Sequence, residues 1–374
     1  MNIGVPKEIK NNEFRVGLSP SSVSELTQAG HRILIEKGAG LGSDFSDDDY
    51  TNVGATLASN AEQVFNQSEL IIKVKEPQAQ ERKLLKPSHT LFTYLHLAPD
   101  LTQTNDLLAS GATCIAYEMV RGKRGNLPLL NPMSEIAGRM SIQAGAHCLE
   151  KAQQGRGVLL GGVPGVSAAQ VLILGGGVVG SNAAKIAIGM GAKVTVFDKS
   201  LEALKILDQH FGNQIQTIYS TKQAILNLLP SADLVIGAVL IPGAAAPKLI
   251  HKSDLSLMKK GAVIVDVAID QGGCFETSRA TTHQDPTFLV DDIVHYCVAN
   301  MPGGLSRTAT ESLNNATLPY VLALANKGIK SALVDNKGFN KGLSIVNHKL
   351  CCPEVGIAQK TSSITPDEAL QYLK

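Results

Sequence analysis

The residues with the clearest chemical purpose form a glycine-rich turn, Gly175-Gly176-Gly177-Val178-Val179-Gly180, followed by a carboxylate, Asp198. The turn comes directly after the apolar run Val171-Leu172-Ile173-Leu174 and opens a segment rich in Ala and Ile. In that setting each glycine has its own purpose. Gly175 makes the tight turn, Gly177 lets a pyrophosphate approach the backbone, and Gly180 lets a helix pack closely on a strand. A helix starting at Val178 and Val179 points N–H groups and its positive dipole end at the phosphates. Asp198 ends the next apolar run, where a carboxylate accepts from ribose hydroxyls and repels a 2′-phosphate. The cofactor implied is NAD rather than NADP, a preference that the adjacent Lys199 weakens slightly. The plain alternative is a glycine turn and a helix-capping Asp; both halves of the fingerprint together favour the nucleotide.

Ligands of doubly wound sheets lie beyond the carboxyl ends of the strands, so polar residues just after strands come next. Asp270 follows Val263-Ile264-Val265-Asp266-Val267-Ala268-Ile269, placed to act as a base or to orient a nucleophile. It also reads as a turn-forming residue before Gln271-Gly272-Gly273, and Asp266 within the run reads as structural. Arg15 follows Asn11-Asn12-Glu13-Phe14, Lys75 ends Ile71-Ile72-Lys73-Val74-Lys75, and His96 ends Leu91-Phe92-Thr93-Tyr94-Leu95. A guanidinium holds a carboxylate with two hydrogen bonds, an ammonium adds to that or polarises a carbonyl, and an imidazole exchanges protons near neutral pH. Together they describe a site for a small 2-oxo or 2-amino acid. Singly, each also reads as a surface charge or a satisfied histidine.

The elements that must position these groups alternate short apolar runs with amphipathic segments, the pattern of parallel strands joined by crossover helices. Strands are expected near 3–5, 33–36, 70–74, 90–94 and 113–116, with helices at 20–29, capped by Ser19, and at 101–109. A turn-rich stretch at 122–128 leads to a helix at 133–153. The central unit then reads as strands at 170–174, 193–197, 215–219, 234–238, 262–267, 287–290 and 294–299, about six of them parallel. Helices are expected at 178–190, 201–210, 222–229 and 255–259. The stretch 308–374 has a helical pattern and too few strands for a third domain, so it is expected to return to the first. The fold class is therefore α/β with two domains. A Rossmann-type doubly wound parallel sheet, residues 131–306, is inserted between the two segments, 1–130 and 307–374, of a second α/β domain that carries substrate.

Composition narrows the function classes. With 374 residues the chain suits two domains, and 44% hydrophobic residues with 4% aromatics, no Trp and 35 glycines suit α/β layers. Lys and Arg number 34 against 33 for Asp and Glu, with no basic block, which speaks against nucleic acid and anionic membrane as partners. Residues 157–184 carry no charge, long enough to raise a transmembrane reading. Pro164 and the many glycines make a buried strand with flanking turns the better account. The six cysteines show no metal spacing, no metal site is expected, the other histidines read as structural, and a reduced cytoplasmic compartment fits best.

Seven ordered segments carry a resemblance. They are Ile3-Gly4-Val5-Pro6-Lys7-Glu8-Ile9-Lys10-Asn11-Asn12-Glu13 with Arg15-Val16, Lys73-Val74-Lys75-Glu76-Pro77, Tyr94-Leu95-His96-Leu97-Ala98 and Pro132-Met133-Ser134-Glu135-Ile136-Ala137-Gly138-Arg139. Gly161-Gly162-Val163-Pro164-Gly165-Val166, Asp266-Val267-Ala268-Ile269-Asp270-Gln271-Gly272-Gly273 and Asn300-Met301-Pro302-Gly303 complete the set. Over nearly its full length the sequence resembles the bacterial alanine dehydrogenases of the alanine dehydrogenase/pyridine nucleotide transhydrogenase family. The resemblance implies reversible oxidative deamination of L-alanine by NAD to pyruvate, ammonia and NADH. It implies that Arg15 and Lys75 hold the substrate carboxylate and carbonyl, that His96 is the acid/base, and that Asp270 activates water or ammonia. Ser134, Asp198, Ser220, Val239, Leu240, Val267, Ala268, Ile269, Asn300 and Met301 would line the NAD site beside the glycine turn. A homo-hexamer and closure of two domains around substrate are implied as well. Gly17 stands where Ala is associated with relatives, which puts nothing catalytic in doubt. Rival readings are the NAD-binding subunit of a proton-translocating transhydrogenase, whose pattern lacks the histidine kept here as His96, a saccharopine-type dehydrogenase with a wider cleft, and a catalytically silent NAD-sensing module.

Overall fold

Short Val, Ile and Leu runs form strands whose neighbours bury both faces, and the computed structural model of the chain describes residues 1–239 and 246–373. The first part of the chain supplies β1 (Asn2–Val5), β2 (Arg32–Glu36), β3 (Thr56–Ala58), β4 (Leu70–Ile72), β5 (Thr90–Thr93) and β6 (Thr113–Ala116), all paired in parallel. Helix Pro20–Gln28 starts as its sequence indicates. Ser19 accepts a hydrogen bond from the Ser22 N–H, and Pro20 sits where no amide partner is needed.

The inserted segment builds a second sheet from β7 (Gln170–Leu174), β8 (Lys193–Asp198), β9 (Ile215–Tyr219), β10 (Leu234–Gly237), β11 (Val263–Asp266), β12 (Thr287–Val290) and β13 (Ile293–Tyr296), in the order β12-β13-β11-β10-β7-β8-β9. Six of these run parallel, in the order of a dinucleotide-binding sheet, with the strand order reversing between β7 and β10. Val171 and Ile173 pack on Ala183, Ala184 and Ala187, while Leu172 and Leu174 pack toward Ile225 and Leu229. A strand covered on both faces reads as a continuous apolar run rather than an alternating one. The uncharged stretch 157–184 is accounted for by β7 between a loop and the start of helix Val178–Gly189. Among the described residues no helix is long and apolar enough to cross a membrane.

The chain then adds β14 (Leu343–Val346) and β15 (Lys349–Leu350), and the first sheet takes the order β15-β14-β6-β5-β4-β1-β2-β3. Two compact units result, Met1–Met133 with Leu305–Lys374, and Ser134–Gly304.

Six parallel strands agree with the sequence, and the seventh, β12, is antiparallel to β13, the two joined through Asp291 and Asp292, both at positive φ (48° and 62°). Two successive positive φ values make the tight hairpin turn that reverses the strand. The segment expected as a helix at 255–259 is a 3₁₀ stretch, Lys252–Leu257, and the helix expected at 133–153 is Asn131–Cys148 followed by a 3₁₀ turn, Lys151–Gln153. The returning segment contributes two short strands, β14 and β15, beside its helices.

Candidate active site

In the unit Ser134–Gly304 the candidate residues cluster at the carboxyl ends of parallel strands. Gly175 leaves β7 with φ +109°, and a Cβ at Gly180 would lie 1.8 Å from the Gly175 carbonyl oxygen, so only glycine lets the helix start so close to the turn. At Gly177 the situation is opposite. Among the described residues nothing lies within 4 Å of where its Cβ would be, and no side chain caps the helix that begins at Val178. An open approach to uncapped N–H groups is what a phosphate-bearing ligand requires. The residues present therefore fit a dinucleotide.

Asp198, at the end of β8, accepts from the Gly176 N–H at 2.6 Å through Oδ2 and from the Ser200 N–H at 2.7 Å through Oδ1. Its carboxylate thus braces the turn, a role the sequence reading did not include. Ser220 follows β9 and donates its N–H to the Asp198 carbonyl at 2.9 Å. Val239 follows β10, half-buried, and Leu240 lies outside the described residues. Ser134 is half-buried on helix Asn131–Cys148, one turn before Gly138, where a Cβ would meet the Val179 carbonyl oxygen at 2.2 Å. That spacing puts Ser134 and Gly138 on one helix face.

Beyond β11, Val267 and Ala268 are half-buried, Ile269 is buried, and Asp270 is exposed on the 3₁₀ turn Ile269–Gln271. The loop is held from two sides. Asp266, fully buried, accepts from the Ala268 and Cys274 N–H groups at 3.1 and 2.9 Å and from the Ser278 hydroxyl at 2.5 Å. Burial nevertheless pushes its carboxyl above the ordinary value. Lys248 donates to the carbonyls of Gly272, Gly273 and Phe275, the last two at 2.9 and 3.1 Å. Beyond β13, Asn300 adopts φ +59° with its carbonyl 3.3 Å from the His283 ring, followed by buried Met301.

In the unit formed by the chain's two ends, Arg15, Lys75 and His96 follow β1, β4 and β5, three neighbouring parallel strands. Arg15 is 2% exposed, and Glu13 accepts from its Nε at 2.6 Å and its Nη2 at 2.5 Å. Burial works against both charges, but the forked pairing wins, holding the Glu13 carboxyl below and the Arg15 guanidinium above their ordinary values. Lys75 sits close enough to feel Arg15. Burial first, then the Arg15 and Lys10 charges, pull its ammonium below the ordinary lysine value.

Behind Lys75 lies a buried triad absent from the sequence reading. Lys73 Nζ reaches Glu8 at 3.0 Å and Glu81 at 2.8 Å, with all three side chains at most 2% exposed. The other Glu8 oxygen accepts from the Val74 and Lys75 N–H groups at 2.7 and 3.4 Å, so the triad fixes the backbone that carries Lys75. A lysine inside Leu70-Ile71-Ile72-Lys73-Val74 is the sequence signal for such a partner, since a buried ammonium needs one. His96 is exposed, with its ring stacked on that of buried Tyr94, centroids 5.7 Å apart and planes 6° apart.

A nucleotide-type turn in one α/β unit and a cationic cluster with an imidazole in the other define a dinucleotide-binding protein of two α/β units. The chain matches the family models described as alanine dehydrogenase/PNT, N-terminal domain over residues 4–137 and C-terminal domain over 141–353. It is 56% identical over 350 residues to the alanine dehydrogenase of Halomonas elongata, covering 94% of each chain. A solved L-alanine dehydrogenase is 52% identical, with a TM-score of 0.94, covering 96% of this chain and 99% of that one. A transhydrogenase from Sinorhizobium meliloti shares the fold at a TM-score of 0.81 and 24% identity, covering 94% and 99%. The chain belongs to the alanine dehydrogenase/PNT family.

Proposed function

We propose that the protein catalyses reversible, NAD-dependent oxidative deamination of L-alanine to pyruvate, ammonia and NADH. The observation that carries this reading is buried Arg15 beside half-buried Lys75, whose ammonium feels its charge, with His96, in the segments that follow three adjacent parallel strands, in a chain that also has an open Gly177 turn braced by Asp198.

Bound NAD supplies the hydride acceptor. The chain's own residues hold the substrate and handle protons. Arg15 and Lys75 hold the carboxylate, and Lys75, with its ammonium pulled below the ordinary value, donates readily toward a developing carbonyl oxygen. His96 takes the proton released at the amine, and Asp270 orients the water that replaces nitrogen, or the ammonia that enters in reverse. Asp198 accepts from the adenosine ribose while keeping the turn in shape. Gly175, Gly177, Val178, Val179 and Gly180 would hold the pyrophosphate. Ser134, Ser220, Val239, Val267, Ala268, Ile269, Asn300 and Met301 would line the remainder of the cofactor site.

The test is NADH formation from NAD with L-alanine, beside lysine-type substrates and a no-substrate control. Alanine-dependent NADH formation is expected, and its absence from folded protein that binds NADH would refute the reading. His96→Ala and Asp270→Asn are each expected to collapse turnover while NADH binding survives. Near-normal kcat in either removes that residue from the mechanism.

We further propose a cytoplasmic homo-hexamer. Six free, buried cysteines suit a reducing compartment, and exposed Leu159, Val163 and Val166 on one loop suit self-association. Light scattering on the purified protein decides the assembly, and a monomer would refute it.

A further inference from the structure

His96 stands out for how its backbone is held. Its φ of +48° lies in the left-handed region, which a residue with a Cβ enters at a cost and keeps only where the surroundings impose it. The surroundings here are three side chains from three separate elements. Glu118, on the 3₁₀ turn Tyr117–Met119, accepts from the His96 N–H at 2.7 Å and from the Leu95 N–H at 3.2 Å. Gln103, on helix Leu101–Ser110 and 1% exposed, donates its amide to the Leu95 carbonyl at 2.7 Å. Gln359, the last residue of helix Pro353–Gln359, donates to the Leu97 carbonyl at 2.6 Å and to the Thr104 hydroxyl at 3.0 Å. The amides of residues 95 and 96 and the carbonyls of 95 and 97 are thereby pinned, while the His96 ring is exposed and rests flat on Tyr94.

We propose that Glu118, Gln103 and Gln359 form a cradle of positioning residues that aims the His96 imidazole, a proposal that rests on the reading of His96 as the acid/base. All three act on the backbone of residues 95–97 rather than on the imidazole itself. Their effect is to leave the ring one backbone orientation, so that its proton-transferring nitrogen is in place before substrate arrives. Gln359 makes the cradle non-local, because the segment that returns after residue 305 supplies one of its three walls.

The experiment measures kcat, KM for L-alanine, NADH affinity and the melting temperature of Gln359→Ala, Glu118→Ala and Glu118→Gln in the full-length enzyme. Misaiming the ring is expected to lower kcat about tenfold to a hundredfold. KM and NADH affinity should stay within about twofold, because Arg15, Lys75 and the glycine turn are untouched. Glu118→Gln keeps one oxygen for the His96 N–H and should recover most of the loss seen in Glu118→Ala. Should Glu118→Ala fail to fold, Gln359→Ala at a half-buried helix end carries the test. Unchanged kcat in Gln359→Ala or Glu118→Ala at native melting temperature overturns the cradle, as does a change confined to KM. His96→Ala, run alongside, separates the failures. If it retains full turnover, the acid/base reading falls and the cradle with it; if it collapses while the cradle variants keep kcat, only the cradle falls.

Discussion

Gly177→Ala and Gly180→Ala add the same methyl group to one turn and should fail in different ways. At Gly180 the new Cβ would sit 1.8 Å from the Gly175 carbonyl oxygen, roughly 1.6 Å inside ordinary contact at 3.4 Å, and the obstacle is backbone of the same turn, which no rotamer can move. Overpacking of this kind costs about 1–3 kcal/mol or more, and for a unit of this size each kcal/mol lowers Tm by about 2–4 °C. Gly180→Ala should therefore melt roughly 2–12 °C lower and bind NADH poorly because the turn itself is displaced. At Gly177 the backbone, φ −72° and ψ −158°, is open to any residue, and among the described residues nothing lies within 4 Å of the added carbon. Alanine gains about 0.4–1 kcal/mol by restricting the unfolded chain and loses a similar amount as a poorer N-cap, so Tm should stay within about 2 °C. The methyl instead occupies the path of the pyrophosphate. A steric cost of about 1–3 kcal/mol there corresponds to NADH affinity reduced about fivefold to 150-fold. Thermal melts without nucleotide and NADH titrations on both variants give the readout. Gly177→Ala with unchanged NADH affinity would refute the reading of the open side as the phosphate approach, and Gly180→Ala with native Tm would refute the packing argument.

Asp198→Ala removes the proposed ribose acceptor and a brace of the Gly176 N–H at once, so NAD-over-NADP discrimination should fall and NADH affinity should fall with it; an unchanged NAD/NADP ratio of kcat/KM would count against the ribose role. Lys73→Met leaves Glu8 and Glu81 buried without their cation, which costs about 3–5 kcal/mol in urea unfolding, and adding Glu8→Gln with Glu81→Gln should return much of it. No loss in the single variant would show that the triad is not a paired charge network. Burial raises the Glu13 carboxyl, but Arg15 outweighs it and the net shift is downward, so this pairing adds stability that is complete above the unfolded-state value and is lost as pH falls through the lower folded-state value. The Tm gap between wild type and Glu13→Gln should accordingly narrow as pH drops from neutral into the acid range; a constant gap would refute the assignment.

What could be read from the sequence follows a physical division. The second sheet was legible because strands covered on both faces are continuous apolar runs and because a turn that must admit a phosphate needs glycine at fixed spacings. Lys75, His96 and Asp270 were legible for a related reason, since polar residues soon after such runs fall near strand ends by chain connectivity alone, whereas Arg15 lies ten residues beyond β1 in the loop that follows it. The direction of β12 and the existence of β14 and β15 were not legible. Both hairpins turn through two residues at positive φ, Asp291-Asp292 and Asn347-His348, and neither pair contains the glycine that normally marks such a turn. The partners of the candidate residues divide in the same way. Glu13 is two residues from Arg15, yet Glu118 is 22 residues from His96 and Gln359 is 262 residues from Leu97, separations at which no periodicity links them. A group's chemistry is therefore visible where it follows its own strand, whereas its orientation is set by side chains that only the completed fold brings alongside. This is why the returning segment, which carries none of the residues expected to touch substrate, still has a testable effect on turnover through Gln359.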